Sequence, residues 1–181
     1  MKIKRFIYGS CVANSYVLSS DETKTAVLFD SSGANDKIFE YLQKEGYTLS
    51  AIFLTHGHFD HIAGLSELKE KTGAKIYIFD TEEKFLSDFS LNLMPPEDFV
   101  SHFADKADIL LKDKDIVRIS DIEIEVIHTP GHTSGCVCYK CENVIFTPHM
   151  AWGSYEARTR CLSEICQNIK SFFAGTPRNL L

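Results

Sequence analysis

No apolar run in the chain approaches the roughly 20 residues that a membrane-spanning helix needs. No basic run is present either, and the net charge of −6 speaks against nucleic acid and anionic membrane surfaces as partners. The basic start, Met1-Lys2-Ile3-Lys4-Arg5, leads only into Phe6-Ile7-Tyr8 before Gly9-Ser10. That run is too short for the apolar region of a secretory signal. It also opposes the lipoprotein box hinted at by Cys11, so a cytoplasmic protein is expected. Trp152, the only tryptophan, reads as packing. The six cysteines are expected as reduced thiols in a cytosolic chain. Cys136-x-Cys138-x-x-Cys141 has no second cysteine pair or nearby histidine to complete a zinc ribbon. We read Cys136 and Cys138 as alternate strand positions and Cys141 as a turn residue, all packing as small hydrophobes.

What is present suits one soluble domain. A chain of 181 residues can bury a sizeable core, and its 44% apolar and 24% charged residues are ordinary for a globular protein. Residues 1–181 are therefore expected to form a single domain. Residues 2–7, 13–19 and 24–30 read as strands, punctuated by Gly9-Ser10 and by Ser20-Asp21-Glu22. A helix is predicted from Asn35, with Ile38, Phe39 and Leu42 on one face and Gly46 as its stop. Thr48 to Leu54 reads as a buried strand, about Ile62 to Lys71 as a helix ended by Gly73, and Ala74 to Phe79 as another strand. A short helix around Glu82 to Leu86 leads into an apolar, proline-broken stretch, Phe89 to Phe103, that is either a functional flap or a satellite helix. His102 within it reads as a surface residue. Strands follow at 115–119 and 122–128, with a hairpin of 135–139 and 144–147. Leu162, Ile165, Cys166, Ile169, Phe172 and Phe173 recur at helical spacing, so an amphipathic helix is predicted over about 159–174.

The chemistry concentrates in residues 56 to 61, His-Gly-His-Phe-Asp-His, directly after the strand ending at Leu54. Imidazole and carboxylate at this density are metal ligands, and a loop on a rigid strand end holds ligands to small tolerances. The donor set suits zinc, iron or manganese better than copper or calcium. Gly57 permits a tight turn between two ligands. A second loop, Thr129-Pro130-Gly131-His132-Thr133-Ser134-Gly135, also follows a strand and offers His132. His128, at that strand's end, reads as a structural hydrogen-bonding residue.

His-x-His-x-Asp-His after a strand, with Thr-Pro-Gly-His-Thr-x-Gly about seventy residues on, resembles the metallo-β-lactamase superfamily and in particular its small glyoxalase II-like hydrolases. The resemblance runs from about residue 1 to 147. Asp30 followed by Ser31-Ser32-Gly33 is similar to the family's early Asp-x-Gly loop. The resemblance implies an α/β fold, a four-layer αββα sandwich with metals at one edge. It implies His56, His58 and His132 on a first metal, Asp60 and His61 on a second, and Asp60 as the candidate catalytic carboxylate. A metal-bound hydroxide would attack the carbonyl of a small thioester, ester or lactone.

The departures set further expectations. Where the family runs from strand into Gly-Asp, with the Asp bridging both metals, this chain reads Thr147-Pro148-His149, which makes His149 a candidate ligand of one ion rather than a bridge. Gly153 to Arg160 departs from the family's usual run, and no C-terminal Gly-His-Gly loop follows. The resemblance therefore implies that the C-terminal strand and helix are missing. The expected cofactor is zinc, one or two ions, with iron or manganese as alternatives and the first position the stronger. Expected partners are a small-molecule substrate, no nucleic acid, no membrane, and a second copy of the chain, paired through the C-terminal region or the edge near Val144 to Phe146. Two alternatives to the hydrolase stand: a metal-binding protein of the same fold with little or no hydrolysis, and a mononuclear iron thiol oxygenase.

Overall fold

The structure, a computed structural model, describes residues 1–8, 11–94, 106–142, 144–148 and 155–176. Residues 1–130 with 134–148 form one unit, and 131–133 with 149–181 a second.

The first unit is built on two sheets. Strands β1 (Lys2–Tyr8), β2 (Ala13–Ser19), β3 (Thr25–Phe29), β5 (Thr48–Phe53), β6 (Lys75–Phe79) and β7 (Ile109–Leu111) lie in the order β1-β2-β3-β5-β6-β7. The strands from β3 to β7 run parallel, and β1-β2-β3 antiparallel. A two-residue strand, β4 (Ser31–Ser32), bridges to Ile62 and Ala63. The second sheet, β11-β10-β9-β8, is an antiparallel meander of β8 (Ile116–Ile119), β9 (Ile122–His128), β10 (Val137–Cys141) and β11 (Val144–Phe146).

The sequence explains the layering. All five residues of β3, Thr-Ala-Val-Leu-Phe, are buried, as expected of a strand covered on both faces. One face sends Ala26, Leu28, Ile52, Leu54, Ile76 and Ile78 against Ile38, Leu42, Leu65 and Leu68 of the helices α1 (Asn35–Glu45) and α3 (Leu65–Thr72). The other face sends Val27, Phe29, Ala51, Phe53, Tyr77 and Phe79 against Ile122, Ile124, Val126, Val137, Tyr139 and Phe146 of the second sheet. Phe29 stacks on Phe146 at 3.9 Å between ring centroids, joining the two sheets. Truncating such a ring to alanine costs about 3–5 kcal/mol. These layers, helix, sheet and sheet, give the α/β class expected and three of the four layers of an αββα sandwich.

The expected helix over 62–71 is broken in two. A four-residue helix α2 (Phe59–Ile62) and α3 are separated at Gly64, whose φ of 74° is left-handed, so the ligand loop and α3 are separate elements. The short helix expected at 82–86 is a 3-10 helix over Asp80–Leu86. Its neighbour α4 (Phe89–Asn92) is capped by the Asp88 side chain. Cys141 ends β10 rather than sitting in the turn. The described cysteines, Cys11, Cys136, Cys138, Cys141 and Cys166, are all free. Burial pushes the Cys141 thiol up to about 12, so it is an inert packing group. Of the stretch Phe89 to Phe103, read as a flap or a satellite helix, residues 95–103 with His102 lie outside the described residues, as do His149 and Trp152.

The last helix, α5 (Tyr155–Phe173), is described by itself. It starts four residues before the expected 159. Leu162, Ile165, Ile169, Phe172 and Phe173 are all exposed, Phe173 at 84%.

Candidate metal centre

The carboxyl ends of the parallel strands converge on one edge, where open α/β sheets hold their ligands. Just past β3 stands Asp30, past β5 the run Thr55 to His61, and past β6 the residues Thr81 and Glu82. From the second sheet, β9 ends at His128 and leads into the loop that carries His132. That loop is pinned by Thr129 N–H donating to Cys136 O at 2.8 Å and Gly131 N–H to Thr133 O at 3.0 Å.

His56, His58 and His132 are brought together: one nitrogen of each lies within 4.8 Å of the others, with His56 buried and the other two half-buried. Both histidine-bearing loops thus contribute to one cluster that could hold a metal ion. His58 occupies the N-cap position of α2, the helix that holds Asp60 and His61, and its backbone carbonyl accepts the His61 N–H at 2.9 Å.

Asp30 organises the interior side of the loop. Its left-handed φ of 58° is strained for a non-glycine residue. Its Oδ1 accepts the Thr55 backbone N–H at 2.7 Å, and its Oδ2 accepts the Thr55 hydroxyl at 2.8 Å. The Thr55 hydroxyl proton is therefore committed to Asp30. His56 Nδ1, 3.1 Å from Thr55 Oγ1, must then be the donor in that contact, which leaves the Nε2 lone pair for a metal. His61 Nδ1 likewise donates to Asp30 Oδ2 at 2.9 Å, which turns its Nε2 toward Asp60. A carboxylate behind imidazole ligands fixes their tautomer and orientation. The donor set and its backing therefore fit a divalent transition metal.

At the second candidate position, His61 Nε2 lies 3.5 Å from Asp60 Oδ2, with His61 buried and Asp60 half-buried. Burial alone would lower the His61 pKa. The charge and hydrogen bond of Asp30, and then the charge of Asp60, outweigh it and hold the value above that of an ordinary imidazole. His128 is accounted for otherwise: its Nε2 bonds to Ser134 O at 2.9 Å and its ring stacks on Phe79 at 4.4 Å, the structural role expected.

Sequence reasoning missed Glu82. It is fully buried and accepts one backbone amide from each ligand loop. No periodicity marks it; the available signal is its place just beyond the end of a parallel strand. The turn role given to Gly57 also changes. Its φ is not in the left-handed region, and its lack of a side chain is instead required because a Cβ there would overlap Phe85 Cβ.

A sandwich of this layering with a histidine-rich edge is what comparison with known proteins returns. The family model described as the metallo-beta-lactamase superfamily matches residues 8–161, and the chain belongs to that superfamily of hydrolases. The "Probable metallo-hydrolase YqgX" of Bacillus subtilis is 37% identical over 139 residues, covering 77% of this chain and 65% of that protein. "Hydroxyacylglutathione hydrolase GloC" of Haemophilus influenzae is 29% identical over 121 residues, covering 64% and 55%. Among solved structures, BLEG-1 B3 metallo-beta-lactamase superposes with a TM-score of 0.70 at 33% identity, covering 78% of this chain and 68% of that one. ETHE1 from Myxococcus xanthus has a TM-score of 0.65 at 24% identity, a likeness of fold alone. The chain spans about two thirds, or less, of the length of these curated relatives, 65% for the first and 55% for the second.

Proposed function

We propose that this chain is a metal-dependent hydrolase of small thioesters, esters or lactones, with one zinc-class ion held by His56, His58 and His132. The observation that carries the reading is the meeting of three imidazoles from two loops, two of them in a segment backed by Asp30. An ion there would act as a Lewis acid, lowering the pKa of water to about 7 and polarising a carbonyl. The chain's own part is orientation: Asp30 fixes the ring orientation of His61 directly and that of His56 through the Thr55 hydroxyl, and Asp60 stands beside His61 as the carboxylate able to hold a proton. Asp60, His61 and His149 are the candidates for a second ion.

The sequence places His149 where the family resemblance implies a bridging carboxylate, which favours slow turnover. Metal analysis followed by hydrolysis of a generic thioester, with and without added zinc, tests this. Zinc-dependent turnover that disappears in His58→Ala supports the hydrolase. A fully loaded protein that hydrolyses neither the thioester nor a simple ester and lactone assayed beside it would be the metal-binding, non-hydrolytic alternative.

Two further parts of the reading concern setting. No described helix is long and apolar enough to cross a membrane. The free thiols support a reducing, cytoplasmic location. The exposed Leu162, Ile165, Ile169, Phe172 and Phe173 of α5 support self-association through that helix. Light scattering should then find a dimer or larger species, and Ile169→Lys with Phe172→Glu should reduce it to a monomer or precipitate the protein. A stable monomer at high concentration would end the self-association reading.

A further inference from the structure

We infer that Glu82 is a positioning residue for the metal centre, its carboxylate fastening the two ligand-bearing loops to each other, one through each oxygen. This rests on the reading of His56, His58 and His132 as metal ligands. Oε2 accepts the Gly57 N–H at 3.1 Å, the amide between His56 and His58. Oε1 accepts the Gly135 N–H at 2.8 Å, three residues beyond His132.

The side chain is 0% exposed, and it takes no part in the ion pairs found among the described residues. A carboxylate buried against neutral amides is costly, so its retention asks for a reason. The reason is acceptor geometry. A glutamine here would offer one acceptor oxygen and turn its NH2 toward the other loop's N–H, whereas a carboxylate accepts from both loops at once.

The surroundings are cleared for this contact. A Cβ on Gly135 would come within 2.5 Å of Glu82 Cγ and overlap Thr81 Oγ1. A Cβ on Gly57 would overlap Phe85, which sits on the same 3-10 helix as Glu82. That helix follows β6 without a break, and β6 is hydrogen-bonded on both sides, to β5 and β7. The separation of the ligand loops is thus set by an inner strand that supplies no ligand itself.

The test uses the full chain and cobalt(II) as the probe, with affinity from chelator competition and site geometry from the visible absorption bands. Glu82→Gln should bind cobalt about 10–100-fold more weakly, the range for loss of an outer-shell partner, with shifted bands. Glu82→Asp, one methylene short, should fall between. Gly135→Ala keeps the carboxylate but displaces it, and should weaken binding in the same direction. Unchanged affinity and bands in Glu82→Gln and Gly135→Ala, whatever their melting temperatures, would show a merely structural acid and overturn the inference. If Glu82→Gln does not fold, Gly135→Ala decides by the same criteria. An unmodified chain that fails to bind cobalt would instead remove the metal-centre reading, and the wild-type arm alone reports that.

Discussion

The two candidate metal positions share a loop and one buried carboxylate, yet they are furnished differently. The first gathers three imidazoles from two loops. The second has, among the described residues, His61 and Asp60 on consecutive positions of one short helix. Asp30 reaches toward both, through Thr55 to His56 and directly to His61. The difference teaches that orientation and ligand supply are separable. The backing for both positions is built into the end of β3, whereas the ligands come from whichever loops reach the edge. Among the described residues, the same backing thus reaches two positions while three imidazoles meet at only one of them.

The largest expected effect breaks the comparison at its stronger side. His58→Ala should abolish tight metal binding, well beyond the roughly 10–100-fold that an outer-shell loss costs. Elemental analysis after exhaustive dialysis reads this. A full equivalent of metal retained by the variant would mean that His56, His58 and His132 are not the principal site.

Asp30→Asn tests the shared backing and should rank next. An amide keeps one acceptor oxygen and places an NH2 where the carboxylate accepted protons, so at least one buried donor is left unsatisfied, at about 1–3 kcal/mol. Denaturant unfolding of the metal-free protein should show that loss. Zinc affinity should also fall, because His56 would no longer be held in the ligating tautomer. Full stability with full affinity in the variant would mean that Asp30 backs neither position.

Much of this arrangement was legible in the sequence, and the reasons are particular. The α1 boundaries followed from Ile38 and Leu42 on one face and from Gly46, which does adopt the left-handed cap. Strand β2 followed from its punctuation by Gly9-Ser10 and Ser20-Asp21-Glu22, and the ligand loops from residue types that have little other reason to cluster. What escaped depends on contacts distant along the chain. The interruption at Gly64 suits Asn35, which donates to Gly64 O at 3.0 Å from 29 residues away. β7 is only three residues long and joins the sheet by parallel pairing with β6, which no local pattern announces. Glu82 looks like any surface acid until both ligand loops are folded against it. The exposed face of α5 has the same apolar spacing as a buried one, so periodicity found the helix but not its surroundings.

His61→Ala sharpens the comparison from the weaker side and should act more gently. Binding of about one ion per chain should survive, because the three imidazoles of the first position are untouched. Any occupancy above one equivalent should disappear. Titration calorimetry with zinc separates the two. Loss of the first equivalent in this variant would merge the positions into one coupled site and undo the distinction between them.

The smallest effect is expected at an aspartate that contrasts with Asp30 in every respect but charge. Asp21 is exposed and far in sequence from the ligand loops. Its carboxyl is held down at about 2, first by the hydrogen bond from the Tyr47 hydroxyl at 2.7 Å and then by Lys2. A folded pKa below the ordinary 3.8 means that the ionised form is favoured in the native state. Its stabilising contribution is therefore complete above about pH 4 and is lost as the pH falls through 2. Solvent screens such surface pairs, so Asp21→Asn should lower the melting temperature only slightly at neutral pH, and less in high salt. It should leave zinc affinity unchanged. Melting curves of wild type and variant should converge below pH 2. A variant that weakened zinc binding as Asp30→Asn does would show that the metal-centre effects reflect general loss of stability rather than the buried carboxylate behind the ligands.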